Sequence, residues 1–274
     1  MDRTLRDVVV RPVRSREELE RALMLVHDSY VRCGYMQPHP SGLRISPFFA
    51  LKTTRTFVAL LADEVVATVS LFGDSAMLLP ADAIFAPELA ALRARGGRTA
   101  EVGMLADRRK AMGRSMVAVL QMMKQVFWTA LADRIDDLVI TVNPKHAAFY
   151  RRLLCFELVA PARGYPAVGN APAELLKVNF PSLQPQRAED PKIRAMFLTP
   201  LRPEEQLAPY RMTPEDLAYF FVYRTGLFWH LNRRQVEAIE QHHPGLKIAG
   251  LLHAAEPPRP RAVWPAPALQ AVER

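Results

Sequence analysis

Hydrophobic positions along the first 180 residues alternate between strand-like and helix-like spacing. Val8–Val13 is a β-branched run and predicts a first strand. Ser15 follows as a helix cap, and Glu18 three residues on fits a capping box. Leu19, Leu23, Val26 and Tyr30 then recur at three- and four-residue steps, the spacing of one helix face. That helix should fade in the Gly- and Pro-containing stretch "RCGYMQPHPSG". Thr56–Leu61 and Val65–Phe72 read as a hairpin turning through Ala62-Asp63-Glu64. A second helix is expected over Pro87–Arg95, ended by Gly96-Gly97.

"TAEVGMLAD" is the next strand, and its internal Gly103 marks an expected bulge or close backbone approach. Met116, Leu120, Met123, Phe127 and Leu131 form a helical stripe, and "DDLVITV" is a buried strand. It leads into "NPKHAAFYRRLLCFE", where Asn143 should cap a helix with Pro144 in its first turn. "FELVAP" and "LLKVNF" complete the strands. Strands that alternate with helices but open on a hairpin imply an α/β fold with a mixed central sheet flanked by helices.

The pattern changes after Phe180, where more than half of the 23 prolines lie. Three segments are expected: 1–180 as the α/β domain, 181–254 as a C-terminal helical extension, and 255–274 as a Pro-rich tail. Within the extension, Thr213 and Pro214 should start an amphipathic helix reaching Leu231. Its Phe220, Phe221, Phe228 and Trp229 could pack on the sheet or cap a tunnel.

About half of the 274 residues are apolar, enough for a sizeable core. The net charge of +8 favours acidic partners, yet no basic run with interleaved aromatics appears, which disfavours nucleic acid. Cys33 and Cys155 lack metal-ligand spacing, so no metal site and a reduced, cytoplasmic setting are expected. No apolar stretch is long enough for a membrane span. The eleven methionines, several between Met112 and Met123, could be core or could line an apolar tunnel.

Candidate chemistry centres on the helix after Asn143. His146 and Tyr150 stand four apart on one face, which Asn143 joins at the helix start. A phenol there could serve as a general acid or base, or be a packed tyrosine with a bonded hydroxyl. Spacing leaves both open.

Asn143, Ala147, Tyr150 and Phe156 resemble the "N…A…Y…GF" signature of GNAT acetyltransferases, with Cys155 in place of the usual glycine. More narrowly, "LLPADAIFAPELAALRARGGRTAEVGMLA" followed by "VNPKHAAFYRRLLCFE" resembles the N-acyl amino acid synthase family of FeeM type. The shared pattern is a proline-aspartate loop, a helix with "LR", a strand with "AE" and a "P-x-H-x-x-FY" helix, over about residues 5–180.

That resemblance implies a GNAT-like fold and transfer of a long acyl chain from acyl carrier protein to the amino group of an amino acid. It implies no tightly bound cofactor, the acyl group arriving on carrier phosphopantetheine. The glycine-rich pyrophosphate loop of coenzyme A enzymes is absent: "DRRKAMGRS" keeps only Gly113. Arg108, Arg109, Lys110 and Arg114 could meet a single phosphodiester and the acidic carrier, or form a solvated basic turn. Glu101 matches the "AE" position and is the expected base or orienting group for the amine. Backbone N–H groups around Met104, Leu105 and Ala106 would polarise the thioester carbonyl. Tyr150 would protonate the leaving thiolate, with His146 orienting it or touching substrate. Other readings are an acyl-CoA-dependent or acyl-homoserine-lactone-synthase-like enzyme, and a non-catalytic GNAT-like binding module.

Overall fold

The β-branched run forms strand β1 (Val9–Pro12), and helix α1 (Arg16–Arg32) follows at once. Ser15 caps α1 by accepting the Glu18 amide N–H at 3.3 Å. The Glu18 carboxylate does not close the box on Ser15. It accepts the Arg14 N–H at 2.8 Å and pairs with both terminal nitrogens of Arg11, tying the helix start to β1. Strands β2 (Thr54–Leu61) and β3 (Glu64–Gly73) form the expected hairpin. Its turn is Ala62-Asp63, both at positive φ (48° and 63°), which matches the twist of the flanking strands.

Helix α2 (Asp82–Arg93) begins earlier than the proline suggests. Pro87 sits inside it, and the chain absorbs the missing N–H through a kink at Phe85 (φ −126°, ψ 30°). Strand β4 (Thr99–Asp107), helix α3 (Met116–Ala132), strand β5 (Asp137–Val142) and helix α4 (Pro144–Leu153) come next. Strands β6 (Glu157–Tyr165) and β7 (Ala171–Asn179) and the short helix α5 (Phe180–Gln186) complete the series. The computed structural model describes residues 8–108, 116–186, 201 and 208–255.

The seven strands make one sheet in the order β1-β2-β3-β4-β5-β7-β6, antiparallel except where β4 meets β5. That parallel pairing joins Thr99–Val102 to Asp137–Ile140 and stops, although both strands run on. The strands part where β4 carries one residue too many against β3. Gly103 lies opposite Ser70 and Ala106 opposite Thr68. The extra residue is accommodated at Met104 (φ 55°), one place along from the glycine. Gly103 serves the close approach instead, since a Cβ there would lie 3.2 Å from the Phe72 ring.

Alternate side chains go to opposite faces. Leu138 and Ile140 join Met122, Met123 and Phe127 of α3 in one core, which places these two methionines inside the protein. Val139 and Leu175 face the other way, onto Phe85 and Leu89 of α2. Val58, Leu60 and Phe72 on that face meet α1 and the C-terminal segments.

Helix α6 (Pro214–Leu217) starts at Thr213 with a full capping box to Asp216. It does not continue as a helix to Leu231. The chain widens to a π turn over Ala218–Arg224, stops at Gly226 (φ 65°), and resumes as a 3-10 turn over Leu227–His230. Thr225 donates its hydroxyl to the Phe220 carbonyl at 2.7 Å, and Phe221 stacks on Phe228 with centroids 4.7 Å apart. Phe220, Phe221 and Phe228 are thereby buried against α1 and the sheet. Helices α7 (Arg233–His242) and α8 (Ile248–His253) follow. No helix of the described residues is long and apolar enough to cross a membrane.

Helix α4 ends on Cys155 at φ 61°, with the Tyr150 carbonyl accepting both the Leu154 and Phe156 N–H groups. This is a left-handed helix exit, in which a side chain at the turning residue is strained. Cys155→Gly should therefore stabilise the protein by about 1 kcal/mol, measured as a higher urea midpoint at unchanged slope.

Candidate active site

Where β4 and β5 part, a cavity of about 400 Å³ opens between the sheet, the end of α1, the segment Arg44–Phe48 and helix α4. That size lies within the range of roughly 300–1,000 Å³ typical of small-molecule sites. Phe48, Phe72, Met104 and Phe149 supply apolar wall, while Glu101, Tyr30, Arg44, Tyr150 and Tyr165 supply polar groups.

Glu101 is the most unusual of these. It is only 2% exposed, on the last paired stretch of β4, and its carboxyl accepts the Ala81 N–H at 2.7 Å and the Thr141 hydroxyl at 3.2 Å. Burial drives its pKa from 4.5 up to about 8, those two donors partly opposing the shift and the negative charge of Asp82 adding to it.

The Ala81 N–H reaches Glu101 because the loop before α2 is clamped. Asp82 accepts the Leu79 N–H at 2.8 Å, and Arg93 forks onto it with 2.6 and 2.8 Å bonds while also bonding Asp74 at 3.0 Å. Pro80, between them, accepts the Tyr165 hydroxyl at 3.0 Å. The "PAD" loop and the "LR" of α2 are thus one device that aims a backbone donor at a buried carboxyl.

Tyr150 comes off α4 with 5% exposure and edge-on contacts to Phe149 and Phe156, at 5.0 and 5.8 Å between centroids. Its hydroxyl has no hydrogen-bond partner among the described residues. Burial raises its pKa, so the phenol keeps its proton at any ordinary pH. Asn143 caps α4 by accepting the Lys145 N–H at 3.2 Å, and it lines the cavity with His146, which is exposed.

Met104, Leu105 and Ala106 line the cavity along the part of β4 that β5 does not cover. Arg108 lies away from the cavity lining: half-exposed, it makes a 3.5 Å ion pair with Glu64 of the hairpin. Arg109, Lys110 and Arg114 fall outside the described residues. Among the polar residues of the cavity that escaped sequence reasoning are Tyr30, Arg44 and Tyr165. Tyr30 was legible only as part of the α1 stripe, and the other two come from a loop and a strand end that nothing local singles out.

Residues 21–179 match the family described as N-acyl amino acid synthase FeeM. The chain belongs to that family. It is accordingly an acyltransferase of the N-acyl amino acid synthase type. Among solved structures it is similar to FeeM, an N-acyl amino acid synthase from uncultured soil microbes, at 30% identity and a TM-score of 0.57. That likeness covers 64% of this chain and 90% of FeeM. Two more distant structures share the fold. The AHL synthase LasI has 14% identity, covers 63% of this chain and 88% of its own, and has a TM-score of 0.51. The CoA-dependent acyl-homoserine lactone synthase BjaI, solved with SAM and isopentyl-CoA, has 16% identity, 78% and 99% coverage, and a TM-score of 0.52. Among curated proteins none matches the sequence. The family match spans every residue that lines the cavity, from Ser29 to Ala173.

Two measurements check the electrostatics. Because the folded pKa of Glu101 lies above 4.5, folding is most favoured below about pH 4.5 as far as this group is concerned. Stability is lost as pH rises toward 8, at up to about 1.4 kcal/mol per pH unit. Glu101→Gln removes this penalty, so its melting temperature should gain on wild type between pH 5 and 8.5. Asp82→Asn removes the charge that helps hold the proton, and carbon NMR of the Glu101 carboxyl should show its pKa falling below about 8.

Proposed function

We propose that the protein transfers a long-chain acyl group from acyl carrier protein to the amino group of an amino acid, releasing an N-acyl amino acid. One observation carries this: a buried carboxyl and a proton-bearing phenol, Glu101 and Tyr150, line the same cavity where β4 loses its parallel partner. Family membership supplies the reaction type, and the stretch "DRRKAMGRS", with Gly113 its only glycine, supports a carrier over coenzyme A.

In this mechanism the acceptor enters as an ammonium ion. Glu101, ionised, takes one proton from it, directly or through water. A base with a pKa near 8 is well matched to an amine at neutral pH. The freed nitrogen attacks the thioester carbonyl, and N–H groups of Met104–Ala106 on the uncovered stretch of β4 receive the oxyanion. Collapse breaks the carbon–sulfur bond; Tyr150 passes its proton to the departing thiolate and is restored by the second proton that leaves the nitrogen as the amide forms, while Glu101 returns its own to solvent. The apolar wall of Phe48, Phe72, Met104 and Phe149 receives the acyl chain. Asn143 and His146 contact substrate at the rim. The basic charge of Arg108 and of sequence positions Arg109, Lys110 and Arg114 is what would attract the acidic carrier and its phosphodiester.

Lipid extracts of an expressing host should gain N-acyl amino acids by mass spectrometry, and purified protein should turn over acyl carrier protein thioesters faster than acyl-CoA. No new N-acyl species together with no turnover of carrier thioesters would sink the proposal. Tyr150→Phe should slow turnover by roughly ten- to a thousandfold. In wild type kcat/KM should rise with pH through about 8, as Glu101 ionises. Glu101→Gln should flatten that limb, and an unaltered profile would remove Glu101 as the base.

A further inference from the structure

Arg44 is an expensive residue in structural terms. It is a cation with only 9% exposure, on a segment rather than on a helix or strand. Leu43 and Ile45 on either side are fully buried in the core, and the Arg44 N–H donates to the Leu23 carbonyl of α1 at 3.2 Å, so its backbone is fixed. The side chain is fixed as well: Nη2 donates to the Ala167 carbonyl at 2.7 Å, and the guanidinium carbon lies 5.6 Å from the centre of the Tyr30 ring. Desolvation makes its charge costly to keep. Yet this guanidinium lines the same cavity as Glu101.

The two groups also share a neighbour. Tyr165, anchored on the Pro80 carbonyl, feels the Glu101 carboxyl and the Arg44 guanidinium with opposite sign. A buried acid, a buried guanidinium and this phenol therefore line one cavity together. A free amino acid carries complementary charges separated by a single carbon, an ammonium and a carboxylate. The planar fork of arginine suits a carboxylate, and a low-dielectric wall strengthens the match.

We propose that Arg44 is the carboxylate-recognition residue of the acceptor subsite, so that the site takes amines bearing a free α-carboxylate in preference to amines, esters or amides without one. This rests on the synthase proposal above and specifies its acceptor. Glu101 receives the nitrogen end and Arg44 the carboxylate end, and the N-acyl product retains the group Arg44 holds. Arg44 is here a specificity residue, and none of the bonds that form or break involves it.

The test is direct binding, independent of any acyl donor. Calorimetry would compare N-dodecanoylglycine with the neutral N-dodecanoylglycinamide on wild type, Arg44→Gln and Arg44→Lys. Wild type should favour the acid by about ten- to a hundredfold. Arg44→Gln should bring the two ligands within about threefold while leaving amide affinity unchanged, which shows the cavity intact, and Arg44→Lys should keep part of the preference. A preference retained in Arg44→Gln, or equal loss of both ligands, overturns the assignment. Wild type that binds both ligands equally overturns it too, leaving the synthase proposal in place. Wild type that binds neither takes both down together.

Discussion

Burying the Glu101 carboxyl is the constraint around which the cavity side of the sheet is organised. A carboxyl that meets almost no water needs donors of its own, and it needs them held still. One comes from the neighbouring parallel strand, the Thr141 hydroxyl, and the other from a loop twenty residues upstream, the Ala81 N–H. The loop is not free to move because Asp82, Arg93 and Asp74 lock it to the far end of α2. The same arrangement keeps the carboxyl protonated into the neutral range, since neither donor is a full charge and Asp82 is itself negative. Had a guanidinium taken the place of the Ala81 N–H, the group would be an ordinary carboxylate with no capacity to release and recover a proton near neutrality.

The strand and helix order was largely legible from periodicity, because one-sided elements announce their own spacing. α1, the β2–β3 hairpin, β4, α3, β5 and the Asn143-capped α4 all lie close to where the pattern of apolar residues puts them. Misreadings occur where a side chain overrides a local rule. Pro87 suggested a helix start but sits in a kink; Glu18 suggested a capping box but is drawn off by Arg11. The long helix expected from Pro214 is cut where the Thr225 hydroxyl takes the Phe220 carbonyl and where Gly226 turns the chain at positive φ. In the cavity, Glu101, Met104 and Tyr150 were legible through a family pattern. Arg44 and Tyr165 were not, since what makes them notable is a shared cavity, and tertiary proximity leaves no spacing signal.

The C-terminal segments are part of the core rather than something laid over it. Phe220 and Phe221 are wholly buried with Leu23 and Val58, and the contact is reinforced by polar ties back to α1. The Tyr219 hydroxyl and Arg224 both reach Glu20, at 3.0 and 3.1 Å, and the Arg16 guanidinium lies 4.8 Å from the centre of the Tyr219 ring. Because α1 also contributes Tyr30 to the cavity, the order of the site and the packing of the C-terminal region are coupled through one helix.

The four-residue pairing of β4 with β5 has a mechanical consequence. A sheet split along part of its length is weak at the tip of the split, where backbone hydrogen bonds alone would have to bear any load. Here α3 bridges the gap from behind. Gln125 donates to the Val10 carbonyl on one side, at 3.1 Å, while Phe127 packs against Phe156 and Phe180 on the other, at 6.2 and 5.8 Å. The helix works as a splint, so the opening that admits substrate does not become a line along which the domain comes apart.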